Sequence, residues 1–237
     1  MDKPNAQQTV KARIKLILKT IIHILLMFLF IFLPAGRITY WQGWVFFGIN
    51  LITIILLLIT RARDPEFNDL IKERMKPGPG AKWWDKIFRA SYIPVAVGTI
   101  ICASLDGGRF SYTMNIPIIV YFIAIIGLIV GTMIIAWAMK VNRFFSSTVR
   151  IQTDRGHQVI QEGPYRYVRH PGYIGMIIWW LSAPIILNSY RALILGATLC
   201  LLLIIRTYPE DKTLQTELPG YKEYTQKVKY RLFPKVW

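Results

Sequence analysis

Acidic residues are scarce in this chain, 13 Asp and Glu against 29 Lys and Arg, for a formal net charge of +16. Cysteine is scarcer still. Cys102 and Cys200 each fall inside an apolar run, which gives neither a disulfide framework nor the paired spacing of a zinc site. Both read as small buried apolar residues, and no metal set is expected. Charge of either sign is sparse, 18% of a chain that is 54% hydrophobic and 14% aromatic. That balance excludes an ordinary soluble domain. Barrel-type alternation, internal repeats and low-complexity tracts are missing too.

What is present is clustered apolar sequence. Stretches near twenty residues without charge recur, the length needed to cross a hydrocarbon core of about 30 Å as a helix. Backbone groups in lipid must be satisfied within the segment, so these runs are expected to be α-helices. Six spans can be drawn, near 14–34, 42–60, 87–105, 116–139, 172–187 and 190–206. The last two are short, and Pro184 sits near the end of the fifth. Five full spans plus a helical hairpin over 172–206 is therefore the alternative. The first apolar run ends at Pro34-Ala35-Gly36 without a cleavage-type site leading into a soluble domain, so it reads as a membrane helix and not a signal peptide. Trp41, Trp44, Trp83, Trp84, Trp179 and Trp180 fall at or near span ends, where amphipathic rings favour the interface.

Charge orients these spans. The amino-terminal segment carries five Lys and Arg, and the following connections carry one, eight, one, six and one, before seven in the tail. Strict alternation of heavy and light loops implies an even number of crossings with both termini in the cytosol. Twelve of the 13 acidic residues lie on the heavy side as well, Asp106 being the exception. The polar working surface is thus expected on the cytoplasmic face, and the basic excess is read as contact with an anionic leaflet in preference to nucleic acid. The loop 61–89 contains Lys76-Pro77-Gly78-Pro79-Gly80-Ala81-Lys82-Trp83-Trp84, a helix-breaking linker expected to lie on headgroups. His23 reads as a neutral histidine within the bundle.

Two heavy-side segments are unlike loops. One is 142–175, which holds His157 and the run Gly163-Pro164-Tyr165-Arg166-Tyr167-Val168-Arg169-His170-Pro171-Gly172-Tyr173. The other is the tail, with Arg206, Glu210-Asp211, Gly220-Tyr221, Tyr224 and Arg231-Leu232-Phe233-Pro234. Pro171 holds His170 extended and suits a first helical turn. The free amides of that turn beside Arg169 suit an anionic group, or else form only a cap with headgroup contacts. Glu210 and Asp211 either neutralise a cationic ligand or pair with Arg166, Arg169 or Arg206. The short hairpin must bring both segments close together.

The run 163–173, the Arg-x-x-x-acid-acid tail, the Gly-Tyr-x-x-Tyr element and the Arg231-Leu232-Phe233-Pro234 ending resemble the isoprenylcysteine carboxyl methyltransferase and phospholipid methyltransferase superfamily. Asn142, Phe145 and Ser146 fit its upstream pattern. The resemblance covers about residues 140–237, which would form a catalytic region after a membrane portion over 1–139. It implies an all-α integral membrane enzyme using S-adenosylmethionine, with the cofactor pocket on the cytoplasmic side of the C-terminal half. His157, Val159, Gly163, Tyr165, His170, Pro171 and Tyr173 would line that pocket, with Arg169 at the helix start and Glu210 as acidic partner. Arg206, Glu210 and Arg231 would act near the reacting groups. The family usually has a second glutamate where Asp211 stands, which leaves the role of Asp211 open. The acceptor implied is membrane-associated, a prenylated cysteine-like carboxylate or a phospholipid amine. Membrane sterol or enone reductases using NADPH share a similar His-Pro-x-Tyr element and supply the alternative reading; a non-catalytic scaffold is the other.

Overall fold

A computed structural model describes residues 6–64, 80, 82–113 and 116–237, with side chains of residues 6–13 and 15 left aside. The described residues are helical and contain no strand. Helices α1 (Ala6–Ala35), α2 (Trp41–Arg63), α3 (Trp83–Ser104) and α4 (Ile118–Val141) are followed by the irregular segment 142–170, then α5 (Pro171–Ile186), α6 (Leu193–Glu217) and the short α7 (Tyr221–Lys227). A π-helical turn, Leu105–Phe110, continues α3. Among the described residues five helices are long and apolar enough to cross a membrane, while α5 is a shorter apolar helix. The chain is a multi-pass membrane protein. The shorter α5 still runs from the charged end, where His170 lies beside Asp211, to the light end, where Ser189 donates to Asp106. Most of the loop 65–79 and Ala81 lie outside the described residues, as do the side chains of Lys3, Lys11, Arg13 and Lys15.

Hydroxyls within the spans satisfy themselves along their own helices. Thr53, Thr132, Ser182 and Thr207 each donate to the carbonyl four residues earlier, at 2.8–2.9 Å. That is the arrangement required where water is lacking. The outward faces are apolar: Leu25, Leu29, Ile52, Leu56, Ile119, Ile123, Leu201 and Ile205 are exposed, as a lipid-facing surface needs. His23 lies on this outer face of α1 and not inside the bundle. Trp179 and Trp180 sit mid-helix in α5, half-buried, with Trp180 Nε1 hydrogen-bonded to the Tyr92 hydroxyl. They are packing residues and not interface anchors.

The core joins Ile31 and Phe32 of α1, Phe46 of α2, Ala103 of α3, Leu128 of α4 and Ile186 of α5. The most extensive helix pair is α4 with α5. There Gly131 and Gly175 bring backbone against backbone: a Cβ on either would lie 2.6 Å from the other's carbonyl oxygen. Close crossings of this kind are built from small residues.

The largest departure from the hydropathy reading is α6. The apolar run stops at Arg206, but the helix continues through Pro209 to Glu217. Hydropathy marks where the helix stops facing lipid; ion pairs described below hold the rest. The light end is closed by its own few charges. Arg109 donates to the Leu33 carbonyl at 3.0 Å, Arg191 lies 4.4 Å over the Tyr112 ring, and buried Asp106 accepts from the Thr113 and Ser189 hydroxyls, both at 2.6 Å.

Candidate functional site

At the heavily charged end the irregular segment 142–170 folds back over the starts of α3 and α5 and the charged part of α6. Between them lies a cavity of about 340 Å³, within the range of roughly 300–1,000 Å³ typical of small-molecule sites. His157, Val159, Tyr165, Arg169, His170, Tyr173, Arg206 and Glu210 all line it. Gly163, Pro171 and Arg231 are not among its lining residues. Gly163 instead carries a positive φ of 55° and backs onto Val141 and Trp137, where a Cβ would meet Val141 Cγ2 at 2.8 Å.

Glu210 and Arg206, four residues apart on α6, present opposite charges to this space. Tyr173 donates its hydroxyl to Glu210 Oε2, and His170 Nδ1 lies 3.8 Å from Oε1. Arg206 does not close on Glu210, which stands 4.0 Å from its Nε. It binds Asp85 of α3 through Nε at 2.9 Å and Nη2 at 2.8 Å, and its guanidinium lies 4.6 Å over the Phe88 ring. Asp85 is fully buried and also accepts the Val149 N–H at 3.0 Å. Sequence reasoning missed Asp85, which lies 121 positions before its arginine. Phe88, Arg89, Tyr92 and Ile93 from the same helix add an apolar and basic wall.

Behind the cavity, Asp211 is the hub. It is fully buried and accepts from Arg169 Nε (2.8 Å) and Nη2 (3.0 Å), Arg231 Nε (2.9 Å), Gln215 Nε2 (2.8 Å) and the Tyr221 hydroxyl (3.0 Å), while His170 Nε2 lies 3.3 Å away. Burial first, and then the adjacent carboxylate, push the Tyr221 phenol well above its ordinary pKa, so it stays a donor. Arg169 also donates through Nη1 to the carbonyls of Val228 (2.9 Å) and Lys229 (3.0 Å). The amides of Arg169 and His170 reach the carbonyls of Tyr230 and Arg231 at 3.0 and 2.9 Å. The tail is thereby sewn to the start of α5, with Leu232 fully buried beside Tyr173 and Leu203.

The segment 142–157 is fixed by its own bonds. Gln152 Nε2 donates to the Phe144 carbonyl at 2.7 Å, and His157 Nδ1 accepts the Gln152 amide at 3.3 Å. His157 must be neutral at that nitrogen. Burial, then the charges of Arg155 and Arg150, lower its pKa from 6.5 to about 4. Between about pH 6.5 and 4 the unfolded chain therefore binds more protons than the folded one, so stability falls as pH drops through that window. Thermal unfolding in detergent at successive pH values should show this slope in the wild type and a shallower one in His157→Gln. Equal slopes would remove His157 as its source. Arg150 completes the wall: its side chain is 5% exposed, Nη1 reaches Asp154 at 3.4 Å, and among the described residues its buried Nε has no hydrogen-bond partner.

The fold and site define an all-helical membrane protein with a partly open cavity, lined by aromatic and charged side chains, at one end of its bundle. Residues 122–216 match the profile of the isoprenylcysteine carboxyl methyltransferase family. The chain is similar to a probable protein-S-isoprenylcysteine O-methyltransferase of Oryza sativa subsp. indica, 29% identical over 114 residues, 46% of this chain and 60% of the rice protein. It is also similar to the protein-S-isoprenylcysteine O-methyltransferase of Schizosaccharomyces pombe, 24% identical over 163 residues, 61% of this chain and 69% of that protein. A third relative is protein-S-isoprenylcysteine O-methyltransferase B of Arabidopsis thaliana, 27% identical over 89 residues, 37% of this chain and 45% of that one. The chain thus spans about 60% of the length of the rice relative. These matches liken residues 122–216 to the isoprenylcysteine carboxyl methyltransferase family.

Proposed function

We propose that the protein transfers a methyl group from S-adenosylmethionine to the carboxylate of a membrane-borne, prenylated cysteine-like acceptor. The observation that carries this reading is the pair Glu210 and Arg206, opposite charges on one helix held apart at the wall of one cavity. The residues present fit the cofactor. Glu210 offers an anion to its cationic end, and the buried Arg150 Nε, without a hydrogen-bond partner among the described residues, offers a donor to its carboxylate. Tyr165, Tyr173, Val159 and Phe144 supply apolar and aromatic surface. Bound there, S-adenosylmethionine supplies a methyl group made electrophilic by the sulfonium.

The chain's own residues then have three tasks. Arg206 holds the acceptor carboxylate, which is ionised near neutral pH and needs no base. Tyr173 and His170 fix Glu210. The folded segment 142–157 and the tail exclude water and align donor with acceptor, the main requirement for such a transfer. A shallow, open depression beside the cavity shares Arg89, Ile93 and Thr148 with it and includes Pro94 of the apolar α3. It supports lateral entry of a lipid-borne acceptor. The charge distribution supports a cytoplasmic site, where soluble cofactor is available.

Two measurements test the reading. Isothermal titration of the detergent-solubilised protein should show S-adenosylmethionine binding, with labelled methyl transferred to N-acetyl-S-farnesylcysteine. Glu210→Gln, which keeps the shape and removes the charge, should weaken cofactor binding about tenfold, or ~1.4 kcal/mol. No binding by the wild type, or a thermal shift with NADPH in its place, would sink it.

A further inference from the structure

Arginine and glutamate four residues apart on a helix pair with one another by default. On α6 they do not. Arg206 turns away from Glu210, at 4.0 Å, toward Asp85, at 2.8 Å. The choice has a physical basis. Asp85 is fully buried whereas the Glu210 side chain is 20% exposed, so the pair with Asp85 is closer and less screened. Asp85 is itself held in place. Its Oδ2 accepts the Val149 N–H at 3.0 Å, and the neighbouring Lys82 amide donates to the Val149 carbonyl at 3.3 Å. Lys82 Nζ clasps Glu217 at 2.6 Å, which ties the start of α3 to the far end of α6. The first turn of α3 lies outside the matched residues 122–216, yet it supplies the carboxylate that Arg206 hydrogen-bonds.

We infer that Asp85 is a positioning residue that keeps Arg206 from closing on Glu210 and so leaves the Glu210 oxygens open to a cationic ligand group. This rests on the reading of the cavity as a site for S-adenosylmethionine. With Asp85 uncharged, Arg206 would fall back on its i+4 neighbour and compete with the ligand's cationic end. The cofactor site would then be weakened by a residue not among those lining its cavity.

The test is S-adenosylmethionine binding by isothermal titration to monodisperse protein in detergent, which needs no turnover. Asp85→Asn keeps an acceptor for Val149 and should raise the dissociation constant about tenfold. Asp85→Glu keeps the anionic partner and should stay within about threefold of wild type. The double variant Asp85→Asn/Arg206→Met removes the competitor and should recover most of the lost affinity, a rescue that a merely structural role of Asp85 does not provide. Wild-type affinity in Asp85→Asn, or a double variant no tighter than Asp85→Asn, overturns the inference and leaves the cofactor reading intact. Failure of the wild type to bind removes both.

Discussion

Asp211→Ala is expected to cost about 3–5 kcal/mol of stability, the range for removing one partner of a buried ion pair. The arithmetic is local. One fully buried carboxylate serves two guanidiniums, an amide and a phenol, with a histidine ring beside it. Truncation strands Arg169, 7% exposed, and leaves Arg231 without its partner on α6. Those arginines lie on separate segments, so losing the hub releases the tail from the start of α5. Asp211→Asn keeps the shape and should fall between wild type and alanine. For a chain of this size the alanine variant should melt roughly 6–20 °C lower in detergent. A fall under about 2 °C would mean that the carboxylate is not holding these segments.

This hub shows what can and cannot be read from the chain. The alternation of basic loops, the apolar runs and the short connection between α5 and α6 sufficed to expect helices with one charged end, and to expect 169–171 near Glu210. Arg169, His170 and Glu210 do line one cavity. The division of labour between adjacent acids was not legible, because Asp211 reads as a shortened copy of a family glutamate. On a helix, neighbours point about 100° apart: Glu210 faces the cavity and Asp211 faces the tail, where a shorter arm under two arginines fits. Asp85 was invisible for another reason. It stands at the end of a basic loop, no local pattern distinguishes it, and its partner is fixed only by how α3 crosses α6. The end of α6 was misplaced because hydropathy reports lipid contact, and Arg206 and Asp211 find partners instead of ending the helix. One readable signal went unused. Gly127 and Gly131 stand four apart on α4, the spacing that lets another helix approach closely.

That approach yields the second large effect. Gly175→Ala places a Cβ 2.6 Å from the Gly131 carbonyl oxygen and 2.7 Å from Ile135 Cγ1, and Gly131→Ala places one 2.6 Å from the Gly175 carbonyl. Carbon contacts settle near 3.5 Å or more, so a helix must move by most of an ångström. Overpacking of this kind costs about 1–3 kcal/mol, and the two substitutions should not add, because either one opens the same gap. Function should suffer with stability. Tyr173 lies two residues before Gly175 on α5 and donates to Glu210, so a shifted α5 moves one wall of the cavity relative to α6. Gly98→Ala is the control: it is also helical, but an added Cβ there meets nothing within 4 Å, and it should be neutral or slightly stabilising. Melting temperature and S-adenosylmethionine affinity measured on all three variants would separate the effects. Equal behaviour of Gly175→Ala and Gly98→Ala would mean that α4 and α5 do not meet as closely as the structure places them. A loss of stability with unchanged affinity would instead uncouple the helix crossing from the site.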